Sequence, residues 1–162
     1  MLTEAPSQSI TGPVATGAGA GADAADAADG GGLELHFIRP LIGFERSTRF
    51  ALRSLGAQYE PYAALVSLDE PDLRFVVVPP GVVFRDYVIE VPDSDRQLLH
   101  LTDASEVAVL AVVRRQGVPT PVVNLMGPIV VNRRTRDAAQ VVLQDSDYGV
   151  MVPVDGGTAR PA

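Results

Sequence analysis

Few side chains in this sequence could act as acids, bases, nucleophiles or ligands, and their spacing limits what they can do. His36 and His100 are the only imidazoles. No G-x-S-x-G, H-E-x-x-H or metal-spaced His cluster surrounds either of them. Asp145, Ser146 and Asp147 offer oxygens to a hard cation, but fall short of the roughly six or more that calcium takes. Cysteine is absent, so there is neither a disulfide framework nor a thiolate metal site. All thirteen basic residues are Arg, which excludes a Walker-type phosphate lysine and a Schiff-base lysine. A non-enzyme without metal or cofactor is the expectation. What remains is contact chemistry: carboxylates at Asp69, Glu70 and Asp72, guanidinium groups at Arg133, Arg134 and Arg136, amides at Asn124 and Asn132, and an aromatic ring at Phe44 beside Glu45.

Each of these has two readings. Asp69, Glu70 and Asp72 form either a partner-facing edge or a solvated turn, since acid-acid-Pro-acid is turn chemistry in its own right. The three Arg either contact an acidic partner or tip a solvated hairpin; without interleaved aromatics they make a poor RNA platform. Asn124 and Asn132 either meet a partner or bond local backbone, the default at strand ends. Phe44 is either an exposed aromatic anchor or a buried plug at one end of the fold.

The elements that carry these residues are short strands. Two apolar runs, residues 128–131 and 139–144, flank a polar turn at 132–137 and read as a hairpin with a positively charged tip. In the second run Ala139, Val141 and Leu143 share one face, and Gln140, Val142 and Gln144 the other. Further strands are expected at 33–38, 46–55, 63–68, 73–78, 87–91, 106–114 and 121–126, with Pro79, Pro80 and Gly81 ending the fourth of these. Residues 106–114 are apolar on both faces and belong in a central position, paired with 121–126 around a turn at 116–119. Residues 94–99 and 103–105 are the only helical candidates. Strands of this number and spacing, with no internal repeat, predict a mainly β fold: a small antiparallel barrel-like single domain with one or two short helical turns.

Residues 1–32 differ in kind. They are built mostly from Ala, Gly, Asp, Ser, Thr and Pro, lack aromatic residues, Lys and Arg, and have too little apolar surface to offset ordering entropy. They are expected to form a disordered tail before a body at 33–154 and a flexible C-terminus at 155–162. The first charge is Glu4 and no apolar h-region follows, which is unlike a secretory signal. The longest apolar run, residues 107–113, is far short of a membrane span. A soluble protein with no membrane contact is the expectation. The net charge of −7 places −4 on the tail and −3 on the body, where fifteen acids face twelve Arg. That balance disfavours direct nucleic-acid binding and suits a basic protein partner.

The hairpin block 124–148, N-L-M-G-P-I-V-V-N-R-R-T-R-D-A-A-Q-V-V-L-Q-D-S-D-Y, closely resembles the FliW family of bacterial flagellar assembly factors, whose pattern is N-L-x-A-P-I-V-I-N-x-x-T-x-x-x-x-Q-V-I-L followed by D-S-x-Y. Residues 65–80, L-V-S-L-D-E-P-D-L-R-F-V-V-V-P-P, resemble a second family block almost throughout. Residues 37–45 are similar to F-x-x-G-I-P-G-F-E, keeping Gly43, Phe44 and Glu45 while Pro40 replaces a glycine and Ile42 a proline. Arg85 departs from a P-D-Y pattern, and Gly127 stands where alanine is usual. The resemblance covers the body and excludes the tail. It implies a small β-barrel-like fold and a cytoplasmic regulator, monomeric when free, which binds CsrA, an RNA-binding repressor of flagellin translation, and also binds flagellin. A flagellin-specific chaperone without CsrA contact is the alternative. Phe44, Glu45, Asp69, Glu70, Asp72, Asn124, Asn132 and Arg133 are the residues expected to meet partners.

Overall fold

β-Branched and aromatic runs set the strands, and turn residues separate them. In the computed structural model, which describes residues 32–115, 117, 119–156 and 159, nine strands are found among the described residues. They are β1 (Leu33–Arg39), β2 (Arg49–Ser54), β3 (Ala63–Ser67), β4 (Arg74–Val78), β5 (Val107–Arg114), β6 (Val122–Val123), β7 (Ile129–Asn132), β8 (Asp137–Gln140) and β9 (Val152–Pro153). Two helical turns, α1 (Pro80–Val83) and α2 (Asp93–Leu98), and short 3-10 turns complete the fold. The expected disordered tail, up to residue 31, lies outside the described residues, as do positions 116 and 118 of the expected turn and most of the C-terminal segment.

The sheet runs β4-β3-β2-β1-β8-β7-β5 and closes through pairing of β4 with β5, giving a seven-stranded barrel. Closure leaves no free edge along the barrel wall. All neighbours are antiparallel except β1 and β8, which pair in parallel with an irregularity between Phe37 and Arg39. β6 and β9 form a short ribbon on the end of β5. The barrel is filled by side chains drawn from all seven of its strands: Leu35, Phe37, Phe50, Leu52, Leu65, Val77, Leu110, Ile129, Val131 and Ala138. Phe37 and Phe50 meet edge to face with centroids 4.9 Å apart, a geometry worth about 0.5–1.5 kcal/mol beyond area burial. Leu41, just past β1, is buried in this interior core.

A second core lies on the outside of one wall. Val107, Val109 and Ala111 of β5, Val130 of β7 and Ala139 of β8 face away from the barrel interior. They are covered by Phe84, Tyr87, Ile89, Val91, Leu99 and Leu101 from the long β4–β5 connection, together with Val141, Leu143 and Tyr148. This explains why β5 is apolar on both faces: each face has a core of its own, and the strand is central as expected. Residues 87–91 keep the expected alternation, with Tyr87, Ile89 and Val91 buried and Val88 and Glu90 exposed. They do not form a strand of the barrel ladder, where only an isolated bridge at Ile89 is found; packing on the outer core, not ladder pairing, fixes their period. Pro80, expected to end β4, also opens α1, since a proline fits the first turn of a helix. Likewise, β8 starts earlier than expected, at Asp137, and its regular ladder ends at Gln140.

Candidate partner-binding surfaces

The acidic turn is built into the barrel end. Ser47 and Ser67 are buried, and their hydroxyls meet at 3.0 Å. Ser67 Oγ accepts the backbone N–H groups of Asp69 and Glu70, while Ser47 Oγ donates to the Glu70 carboxylate. Asp69 Oδ2 accepts the N–H groups of Thr48 and Arg49, both at 2.9 Å. Those two donors, Arg49 first, hold the Asp69 carboxyl below its ordinary range. Asp69 and Glu70 therefore clip the 41–48 loop to the β3–β4 turn. Asp72 is exposed and makes no hydrogen bond or ion pair within the described residues.

The same clip positions Phe44. Its ring meets Phe75 edge to face at 5.0 Å and remains 37% exposed. Leu41 takes the buried place considered for Phe44, so Phe44 is an outward aromatic on a fixed loop. Glu45 is exposed and folds back to accept the Gly43 N–H; Gly43 has φ +89°, a conformation that favours glycine. Ile42 is 70% exposed beside them, and its N–H donates to Gln140 Oε1. Phe44, Glu45, Asp69, Glu70 and Asp72 thus belong to one surface.

Asn132 and Arg133 lie elsewhere, at the β7–β8 turn. Asn132 is fully buried: Oδ1 accepts from Arg134 and Thr135 N–H, while Nδ2 donates to the Leu99 and His100 carbonyls. It ties the hairpin to the outer layer and has no face left for a partner, which corrects its place among the contact residues. Arg133 and Arg136 are exposed, and Arg134 Nε is 3.3 Å from Glu106 Oε1. The Glu106 carboxyl is lowered chiefly by the Thr102 N–H, and Asp103 by the Ser105 N–H. Asn124 is also engaged locally, accepting from Met126 and Gly127.

Sequence reasoning passed over a groove of about 860 Å³ between residues 88–95 and 140–148. Arg39, at the end of β1, and Asp95 of α2 both line it and form an ion pair. Its signal in the sequence is the exposed Val142 among alternating polar residues, together with Asp145 and Asp147, which read only as a weak cation site. Among the described residues no group of three or more His, Cys, Asp or Glu could hold a metal. No helix is long and apolar enough to cross a membrane there either.

A closed barrel wrapped on one side, with its distinctive residues in surface loops, defines a small β-barrel protein whose candidate sites are surfaces for other macromolecules. The sequence model of the FliW protein family matches residues 25–154. The chain belongs to the FliW family of flagellar assembly factors. It is 35% identical to the flagellar assembly factor FliW of Bacillus licheniformis over 121 residues, 74% of this chain and 84% of that protein. It is 32% identical to that of Bacillus subtilis over 121 residues, with the same coverage of 74% and 84%. A crystal structure of the flagellar assembly factor FliW superposes with a TM-score of 0.69 at 26% identity, covering 80% of this chain and 86% of the other.

Proposed function

We propose that this flagellar assembly factor works by stoichiometric binding in the cytoplasm: as a free monomer it binds CsrA and relieves its repression of flagellin translation, and flagellin competes for it. The observation that carries this reading is family membership across residues 25–154, which span the whole barrel and its outer layer. The body's excess of acids supports it, because CsrA is expected to be basic where it grips RNA. Complementary charge speeds association and repels RNA from the complex. Asp72, Phe44 and Glu45 are the residues free to serve, since Asp69 and Glu70 already hold the loop.

Competition has a thermodynamic signature. If flagellin weakens CsrA binding by some factor, CsrA must weaken flagellin binding by the same factor. Titrating flagellin into a preformed complex with CsrA should release free CsrA. A stable ternary complex at saturating flagellin would refute the partner switch, and binding of flagellin alone would favour a flagellin-specific chaperone.

A further inference from the structure

β1 leaves the barrel at Arg39, but the chain it pairs with continues. Residues 141–143 stay extended past the end of β8, up to a turn that starts at Gln144: Val141 N–H donates to the Pro128 carbonyl at 2.9 Å, and Leu143 N–H to that of Met126 at 2.8 Å. Backbone groups of an extended chain point alternately to its two edges. The N–H and the carbonyl of Val142 therefore face the edge β1 no longer covers, where neither has a hydrogen-bond partner among the described residues. That edge opens into the groove. On the opposite wall Tyr148 Oη already satisfies the backbone of Val88, accepting its N–H and donating to its carbonyl, both at 2.9 Å. The groove thus has one open backbone rail.

Its side chains define what fits. Val88 and Val142 are 37% and 41% exposed, a small apolar patch. Glu90, Asp145 and Asp147 are exposed and form no ion pair among the described residues, whereas the guanidinium of Arg39 is held by Asp95. We propose that this groove accepts an extended segment of a basic protein, added as a β-strand along residues 141–143, with an apolar side chain on Val88 and Val142 and flanking Arg or Lys against Glu90, Asp145 and Asp147. Main-chain hydrogen bonds supply the affinity in strand addition and alternate side chains the specificity. The chain's own residues 1–31 do not suit it, because they carry four acids and no base. A second copy paired edge to edge would bring like carboxylates together. The inference stands whether or not CsrA and flagellin are the partners.

The test uses the full-length, isotope-labelled protein and two synthetic peptides, acetyl-Arg-Val-Arg-Val-Arg-amide and its Glu-for-Arg counterpart. The basic peptide should bind saturably, shift the amides of residues 88–90 and 142–147, and slow exchange at Val142. N-methylating its rail-facing amides, which would donate to the Val142 carbonyl, should weaken binding about tenfold, because a ladder hydrogen bond lost is worth roughly a factor of ten. Paired Glu90→Arg and Asp147→Arg substitutions should shift the preference to the acidic peptide. Unsaturable binding, equal affinity for the N-methylated or acidic peptide, shifts confined to other surfaces, or self-association through this edge would each overturn the proposal.

Discussion

The two sides of the barrel wall bury their strands in different ways. β1 is amphipathic, with Leu35 and Phe37 in the interior while Glu34 and His36 face solvent. β5 and β7 are sandwiched: Leu110, Ile129 and Val131 fill the barrel, and Val107, Val109 and Val130 support the outer layer. One face of burial suffices for a barrel strand; two faces mark where another layer is built. The layered side carries the 860 Å³ groove, while the loop with Phe44 and the acidic turn is clipped to the β2–β4 side. A function based on contact can therefore use a rigid loop on one side and a docked, non-ladder chain on the other.

The comparison breaks most severely from inside. Phe50→Ala, at a fully buried interior position, should cost about 3–5 kcal/mol and lower the midpoint of cooperative unfolding in denaturant. A loss below about 1 kcal/mol would mean that the barrel core is not the main source of stability. Asn132→Ala removes the amide that joins the hairpin to Leu99 and His100 and leaves their carbonyls and the turn's N–H groups unpaired. It should cost about 2–3 kcal/mol, and hydrogen exchange should quicken in residues 97–101 and 132–136 before it does in β2 and β3. Uniform acceleration would show that the layers open as one unit.

Tyr148→Phe sharpens the contrast. The ring stays packed on Tyr87, with centroids 4.7 Å apart, but the hydroxyl that binds the Val88 backbone is lost. A cost of about 1–2 kcal/mol is expected, with faster exchange at Val88 and little change in β1–β4. Acid acts on both sides. Asp69, Asp103 and Glu106 have carboxyls held below their unfolded values, so each contributes stability above the usual carboxylate range and loses it as pH falls through its folded-state value. Melting temperature should be flat near neutrality and fall below about pH 4. Asn substitutions at Asp69 and Asp103, with Gln at Glu106, should flatten that fall. The smallest effect is expected for Gly127→Ala. Its new Cβ would sit 3.0 Å from Gln140 Nε2, an amide already bonded to Gly127 and Ile42. A change of about 1 kcal/mol is expected from calorimetry, because displacing the Gln140 amide weakens at most those two exposed or part-buried hydrogen bonds.

Much of this fold is legible in the residues. The period of two at 33–38 and 139–144 gives the buried faces directly, and the apolar run at 106–114 marks the central strand. Its limits are physical. At 87–91 alternation signals burial of one face, but not whether a ladder or an outer core imposes it. The parallel pairing of β1 with β8 depends on contacts across about a hundred positions that no local pattern encodes. At the candidate surfaces, residue type left two readings open for Phe44 and Asp72 and could not separate them from Asp69, Glu70 and Asn132. Those three are polar for the same reason a contact residue would be, and only their backbone partners reveal that they are already occupied. The groove went unread because its side-chain signals, Val142, Asp145 and Asp147, do not reveal the open main-chain edge beside them.

The central claim, action by binding, is tested most directly by calorimetric titration of the full-length protein with CsrA free of RNA. The account predicts saturable binding at fixed stoichiometry with a Kd of about 1 μM or tighter. It also predicts an association rate that falls with salt and with Asp72→Arg, as expected when attraction is screened over about 8–10 Å. No heat of binding and no complex by sedimentation at tens of micromolar would contradict it.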